Sequence, residues 1–432
     1  MPNLYDIAYT LTLALSAPLW LPRTTTRHKV LSALGQRMGH VHPRQTCTEA
    51  ILIHAVSLGE INATRALVNQ LQQHRPDLHI IITTTTATGY DRGRQLYGGR
   101  SNITLTRFPL DFSSAINRLL DAVKPNLIVL MEGEIWPNFL LQCHRRKIPV
   151  LLINGRISDS AYGRYRRIKF ITVAMLRRIN AICVQDQLYA DRFKSLGAPI
   201  ERLTVTGTMK FDTAQLADSV PGDQQLAADL GLNRDAGPLW VCGSTGPGEE
   251  FLLLGAYRTL LRQFPALRLA IIPRKPERFD EVAGQITAAG FPLLRRSSHA
   301  TGNANAVILG DTMGELRKFY SLADAVFVGR SLVNLGSRQW GSDMIEPAAL
   351  GKPVVVGPWT RNFAEAVRSF KASNAIIEIT TIPQLIEALT GWLQSPDSAA
   401  ELGKRARQVV QSNQGATARH VEVMLKFLPP VA

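Results

Sequence analysis

The stretch Ile51-Leu52-Ile53-His54-Ala55-Val56-Ser57-Leu58-Gly59-Glu60 joins two periodicities. An apolar, β-branched run ends at Ser57, and beyond Glu60 the residues Ile61, Thr64, Leu67, Val68 and Leu71 fall near one face of a helix. The pattern predicts strand, tight turn, helix, with Gly59 able to bend the turn without a Cβ clash. Units of this kind build parallel sheets, and open parallel sheets bind ligands beyond the carboxyl ends of their strands. Glu60 falls at such an end, where a carboxylate can serve as a general base. The same residues, Ser57-x-x-Glu60, also fit a capping box, in which two side chains satisfy the free N–H groups of a helix start. Spacing alone leaves both readings open.

Outward from this stretch the alternation repeats. Strand-like runs lie at 50–56, 79–83, 127–131, 149–153 and 181–184, with helical patterns at 61–74, 113–123, 135–146 and 162–178 between them. The pattern breaks over 208–237, which includes Pro221-Gly222 and reads as a linker. A second alternation follows, with strands at 239–242, 268–272, 306–309, 325–328 and 353–356, helices at 249–263, 277–289, 315–322 and 362–370, and a helical tail from Ile382. The fold class is α/β: two Rossmann-like, doubly wound domains facing a cleft. The expected divisions are 1–22, 23–210, 211–237 and 238–432.

Composition fits an ordinary globular chain of 432 residues, 45% hydrophobic and 19% charged. Cys47, Cys143, Cys183 and Cys242 lie far apart without metal-ligand spacing, which predicts reduced, structural thiols. The net charge of +15 is uneven: residues 1–210 carry 27 Lys+Arg against 13 Asp+Glu, and residues 211–432 carry 22 against 21. A basic half implies an anionic partner. No aromatic RNP strand, zinc finger or recognition helix is present, so nucleic acid is not the expected one. Between Ile7 and Leu21 there is no charged residue, a run of 15 that falls short of the roughly 20 needed to span a bilayer. Trp20 and the trailing Arg23, Arg27 and Lys29 suit a lipid–water interface, so 1–22 is read as a membrane-associated segment lying on the surface. A helix packed on the protein itself is the competing reading. The cation- and aromatic-rich run from Tyr162 to Phe170 fits either a membrane-facing side of a cleft or a solvated helix face.

In the second half, Gly243-Ser244-Thr245-Gly246 follows a strand and opens a helix, a place where backbone N–H groups can meet a phosphate. Pro273-Arg274 also ends a strand, and Arg274 there can hold a phosphate or a base edge. Met313-Gly314-Glu315 makes a further strand-to-helix turn. Glu346 opens the run Glu346-Pro347-Ala348-Ala349-Leu350-Gly351-Lys352-Pro353, similar to the nucleotide-sugar signature of GT-B glycosyltransferases.

Taken in order, several runs resemble the 3-deoxy-D-manno-octulosonic acid (Kdo) transferases over nearly the whole chain. They are His54–Glu60, Thr83-Thr84-Thr85-Thr86-Ala87-Thr88-Gly89, Glu132-Gly133-Glu134-Ile135-Trp136-Pro137-Asn138, Asn154-Gly155-Arg156-Ile157-Ser158, Val205-Thr206-Gly207-Thr208-Met209-Lys210-Phe211-Asp212, and the C-terminal turns above. The resemblance implies a GT-B enzyme on the cytoplasmic face of the bacterial inner membrane that moves Kdo from CMP-Kdo to a phosphorylated lipid A precursor, inverting, with no cofactor or bound metal. It implies an acceptor domain over 23–210 and a CMP-binding domain over 238–432. It gives Glu60 as catalytic base and Glu132 and Lys210 as transition-state-stabilising residues. Pro273, Arg274, Met313, Gly314, Glu315, Asp343, Met344, Ile345 and Glu346 become CMP contacts, with Gly243, Ser244 and Thr245 as phosphate candidates. A second carboxylate at Glu132 would repel an anionic donor unless it fixes a cation or a hydroxyl.

The chain departs from the family on the donor side. Pro247 follows Gly246 where a His is usual after Ser-Thr, Arg330 stands for a Gly, Gly133 stands for the middle Thr of Glu-Thr-Glu, and a longer run from Gly336 to Glu346 replaces Gly-Gly-His-Asn, with Asp343 where Asn is usual. Two alternatives follow from these changes: a GT-B relative with another donor, such as a UDP-sugar epimerase-like isomerase, or a CMP-sugar-binding protein that has lost catalysis.

Overall fold

A computed structural model describes residues 3–20, 33–44, 48–232, 237–298, 306–336 and 341–430. Arg23, Arg27, Lys29, Cys47, residues 337–340 and the side chain of Trp20 lie outside that description. The chain forms two compact units, Met1–Thr213 with Gly415–Ala432, and Ala214–Gln414.

The first unit opens with helices α1 (Leu4–Trp20) and α2 (Leu34–Arg37). It continues β1 (Ala50–His54), α3 (Leu58–His74), β2 (His79–Thr84), α4 (Ala87–Tyr97), β3 (Ile103–Arg107), α5 (Ser113–Val123), β4 (Leu127–Met131), α6 (Pro137–Arg145), β5 (Val150–Gly155), α7 (Asp159–Arg167), α8 (Lys169–Leu176), β6 (Ala181–Val184), α9 (Gln187–Ser195) and β7 (Leu203–Val205). The seven strands lie in the order β3-β2-β1-β4-β5-β6-β7, and their recorded pairings are parallel. The β1 side chains alternate between two cores. Ala50 and Leu52 pack with Phe139 and Leu152, whereas Ile51 and Ile53 pack with Leu67 and Leu71 of α3. Burial on both faces is why β1 reads as an unbroken apolar run.

The second unit contains α10 (Asp223–Asp229), β8 (Leu239–Thr245), α11 (Glu249–Leu260), β9 (Arg268–Pro273), α12 (Phe279–Ala288), β10 (Leu293–Arg295), β11 (Val307–Leu309), α13 (Leu316–Leu322), β12 (Ala325–Val328), α14 (Ile345–Ala349), β13 (Val354–Val356), α15 (Ala364–Ala372), β14 (Ile377–Glu378), α16 (Ile382–Gln394) and α17 (Pro396–Asn413). Its parallel sheet runs β10-β11-β9-β8-β12-β13-β14.

The expected divisions need two corrections. Part of the expected linker is helix: α10 belongs to the second unit, and Asp223 accepts the Ser321 hydroxyl of α13. The last helix, α18 (Ala416–Leu425), returns to the first unit, where Val421 and Met424 join the core on the Ile51/Ile53 face of β1. Its start is capped from the first unit by Asp212, whose carboxylate accepts the N–H groups of Gly415 and Thr417. The helix expected over 162–178 is broken at Ile168 into α7 and α8.

Candidate active site

In the first sheet the strand order reverses between β1 and β4, which pair from Ile51↔Leu127 to His54↔Leu130. This is the switch point at which doubly wound sheets leave a crevice. Both strands end in acidic residues, Glu60 after β1 and Glu132 after β4. His54 is fully buried, stacked on Phe108 with ring centroids 3.7 Å apart, with Nδ1 3.1 Å from the Thr83 hydroxyl. Burial pushes its imidazole down to about 3, so it stays neutral at ordinary pH.

Glu60 meets half of the capping reading: Ser57 caps its N–H, but its carboxylate takes the N–H of Val56 rather than that of Ser57. Its main-chain N–H donates to Ser57 Oγ at 3.4 Å, the Ser57 hydroxyl donates to Oε1 at 2.8 Å, and Val56 N–H donates to Oε2 at 2.9 Å. The residue is only 8% exposed. Burial, and after it the charge of Glu132, raise its carboxyl to about 8 against the two donated hydrogen bonds. A cap and a basic carboxylate thus coexist in one side chain.

Glu132 has φ of 59°, a left-handed backbone uncommon outside glycine and asparagine. Nε and Nη2 of Arg156 both donate to its Oε2, at 2.7 and 2.6 Å. The anticipated repulsion of an anionic donor therefore has a counter-charge. Asn154, at the end of β5, is also left-handed (φ 51°) and buried. Its Oδ1 accepts Met209 N–H at 3.2 Å, which ties the segment carrying Lys210 to the sheet end. Glu134 accepts the Trp136 indole N–H at 2.9 Å, and burial raises its carboxyl, with Glu132 adding. The roles of Arg156 and Asn154 were not read from sequence. The signal lay in the motifs themselves, but what those side chains hold is set by tertiary contact.

In the second sheet the order reverses between β8 and β12. Gly243, Ser244 and Thr245 are not a free turn but the end of β8, with Ser244 at φ 55°. Of the N–H groups in the turn before α11, that of Gly246 is taken by Glu249, which also gathers three from the loop after β12. Glu249, fully buried, accepts the N–H groups of Gly246, Arg330, Ser331 and Leu332 at 2.6 to 2.8 Å. Beside it, the Glu250 carboxylate takes both Arg278 guanidinium nitrogens and the Thr245 hydroxyl. Arg274 follows Pro273 at the end of β9, its N–H donating to Thr245 O at 3.0 Å.

Glu346 opens α14. Burial raises its carboxyl to about 7 and Asp343 adds to the rise, while Arg317 and Arg274 oppose it. Asp343 caps α14 by accepting Ile345 N–H at 2.8 Å. Met344 and Ile345 are fully buried. Met313 is 70% exposed and Gly314 left-handed. The Glu315 carboxylate is held by Arg296, Thr312 and Lys318. Arg274, Asp343 and Glu346 are thus within electrostatic reach of one another, whereas Glu315 is tied into a separate ion-pair cluster.

Comparison with known proteins places the chain in a family. Residues 32–213 match the family model described as 3-Deoxy-D-manno-octulosonic-acid transferase (kdotransferase), and residues 251–409 match Glycosyl transferases group 1. The UDP-GlcNAc 2-epimerase of Neisseria meningitidis superposes with a TM-score of 0.59 at 14% identity, covering 87% of this chain and 100% of its own. MurG of Acinetobacter baumannii gives 0.55 at 16% identity, covering 88% and 99%. At that identity the two structures speak for the fold alone. With the group 1 match, the two parallel sheets define a GT-B glycosyltransferase.

Among relatives, the 3-deoxy-D-manno-octulosonic acid transferase of Haemophilus influenzae is 36% identical over 88% of this chain and 87% of its own. That of Bordetella pertussis is 32% identical over 97% and 99%. The chain belongs to the Kdo transferase family, and its activity is Kdo transfer.

Proposed function

We propose that this enzyme moves Kdo from CMP-Kdo to a phosphorylated lipid A precursor with inversion, taking the acceptor on the first unit and the donor on the second. The observation that carries this reading is the Glu60 carboxyl at the β1/β4 switch point, raised toward neutrality by burial and by Glu132. A carboxylate of that basicity is matched to removing a proton from an acceptor hydroxyl. As the hydroxyl oxygen bonds to the anomeric carbon, Glu60 takes its proton, and the bond from that carbon to the CMP phosphate breaks. Lys210 stabilises negative charge as it develops. Glu132, oriented by its ion pair with Arg156, adds to the proton affinity of Glu60.

The setting we propose is the cytoplasmic face of the inner membrane. No helix among the described residues is long and apolar enough to cross a bilayer. What supports surface attachment is the way α1 sits. Asp6 is buried and accepts Ser113 N–H at 2.8 Å and an Asn138 Nδ2–H at 3.2 Å, and Tyr9 meets Phe112 edge-on, so α1 docks on the first unit by one face. Leu4, Ile7, Leu11 and Leu15, spaced along the opposite stripe, are 51 to 79% exposed.

The deciding assay incubates the protein with CMP-Kdo and a lipid A precursor, then repeats with Glu60→Gln. Glutamine can accept Val56 N–H through its carbonyl and donate its amide to the Ser57 hydroxyl, but cannot take a proton at neutral pH. Loss of product with an unchanged melting temperature supports the base. Undiminished turnover by the variant would reduce Glu60 to a cap.

A further inference from the structure

We propose that Arg330, together with Arg274, forms an anion-binding pair at the β8/β12 switch point that holds an acidic group of the sugar-nucleotide donor. The proposal rests on the donor-side reading above, but Arg330 stands where the family resemblance leads one to expect glycine, so it is a feature of this chain.

Several observations converge on it. β12 pairs with β8 through Val328↔Gly243, and Arg330 lies two residues beyond that pair. Its backbone is held from two sides: its N–H donates to Glu249 Oε2 at 2.6 Å, and its carbonyl accepts Gly341 N–H at 2.7 Å. It thereby joins the α11 start to the segment that leads into Asp343 and Glu346. The hold imposes φ of 58°, a conformation glycine would take without cost, yet arginine occupies it. The stem crosses Gly246 so closely that a Cβ there would lie 2.9 Å from Arg330 Cγ. Arg330 Nε is buried with no hydrogen-bond partner among the described residues.

Charge points the same way. Arg274 is near enough to Arg330 to disfavour its protonated form, after burial, which is the larger cause. Glu249 is the acidic group that most favours it, but that carboxylate is committed to four main-chain donors. Arg274 is tied by its N–H to Thr245 O and Arg330 lies against the next residue, Gly246, so an anion between the two side chains would meet both charges and the unmet Nε. Glu249 already takes the Gly246 N–H of the adjacent turn, and the side-chain pair adds positive charge there for a donor phosphate. The same pair would equally suit the carboxylate of the transferred sugar.

Calorimetric titration of the full chain with cytidine, CMP and CMP-Kdo, for wild type and Arg330→Gly, tests this. Glycine adopts the local backbone freely, so folding is preserved, and a melting curve checks it. The expected result is a roughly ten- to hundredfold loss of CMP affinity in the variant with cytidine unchanged. Loss confined to CMP-Kdo assigns the pair to the sugar carboxylate and also supports the proposal. Equal affinities for all three ligands overturn it, as does an equal loss for all three, cytidine included. A wild-type protein that fails to bind CMP overturns the donor reading and this proposal with it, a result distinct from a silent Arg330→Gly.

Discussion

At the scale of single residues, the chemistry gathers where the backbone is least ordinary. Glu132, Asn154, Ser244 and Arg330 all have positive φ, and all lie at or just beyond the carboxyl ends of central strands. Such conformations persist only where neighbours over-determine them, and they cluster at functional sites. Glu60 yields the sharpest prediction. Its carboxyl lies near 4.5 when unfolded and near 8 when folded. Below the lower value both states are protonated; between the two, only the folded state keeps its proton. Wild-type stability relative to Glu60→Gln should therefore fall as pH rises from about 5 to about 8, then level off. Melting curves of both proteins across that range check it, and a constant difference would mean that the carboxyl is not perturbed. The rate of transfer should rise over the same interval as the base loses its proton. Sequence made Glu60 legible as both cap and base, but the Arg156 partner of Glu132 and the hold of Glu249 on the loop after β12 depend on contacts between distant strand ends.

At the scale of elements, ten strands were readable and four were not, and the division is physical. β3, β7, β10 and β14 are the four sheet edges. Interior strands are covered on both faces and so run continuously apolar, as in Leu127–Met131. Edge strands here are short or mixed: β7 is three residues with two exposed, and β3 alternates threonine with isoleucine and leucine. The return of α18 was hidden for a different reason, since helical periodicity says which face is apolar but not which sheet it covers. The device that fixes it is Asp212, inside the Val205–Asp212 motif. Asp212→Ala should destabilise the α18 start by roughly 0.5–2 kcal/mol, the range for losing an N-terminal cap. Hydrogen exchange should then quicken in Ala416–Leu425 and its packing partners in α3, while amides of β8 and β9 keep their protection. Unchanged exchange in α18 would show that the Val421 and Met424 contacts hold the helix without the cap.

For the whole molecule, the charge imbalance survives the redrawn boundary. The first unit carries 29 Lys+Arg against 15 Asp+Glu, and the second 20 against 19. Moving the C-terminal helix thus leaves the basic excess on the unit that also bears the exposed stripe of α1. A second exposed apolar residue, Phe170 at 90%, sits at the α7–α8 break among Arg164, Arg166, Arg167 and Lys169. Apolar side chains ringed by cations are what an anionic bilayer surface attracts, by burial of the former and by charge for the latter. The two contributions separate by experiment. Wild type should co-sediment with vesicles containing anionic lipid and do so less as salt is raised, because the charge term is screened. Leu11→Ser with Leu15→Ser should weaken binding at every salt concentration, since each removes apolar surface without changing charge. Both side chains point away from the Asp6 network, so the melting temperature should hold. A variant that binds vesicles as wild type does would place α1 outside the membrane contact and leave the basic surface as its basis, whereas a fall in melting temperature would mean the stripe packs on the protein itself.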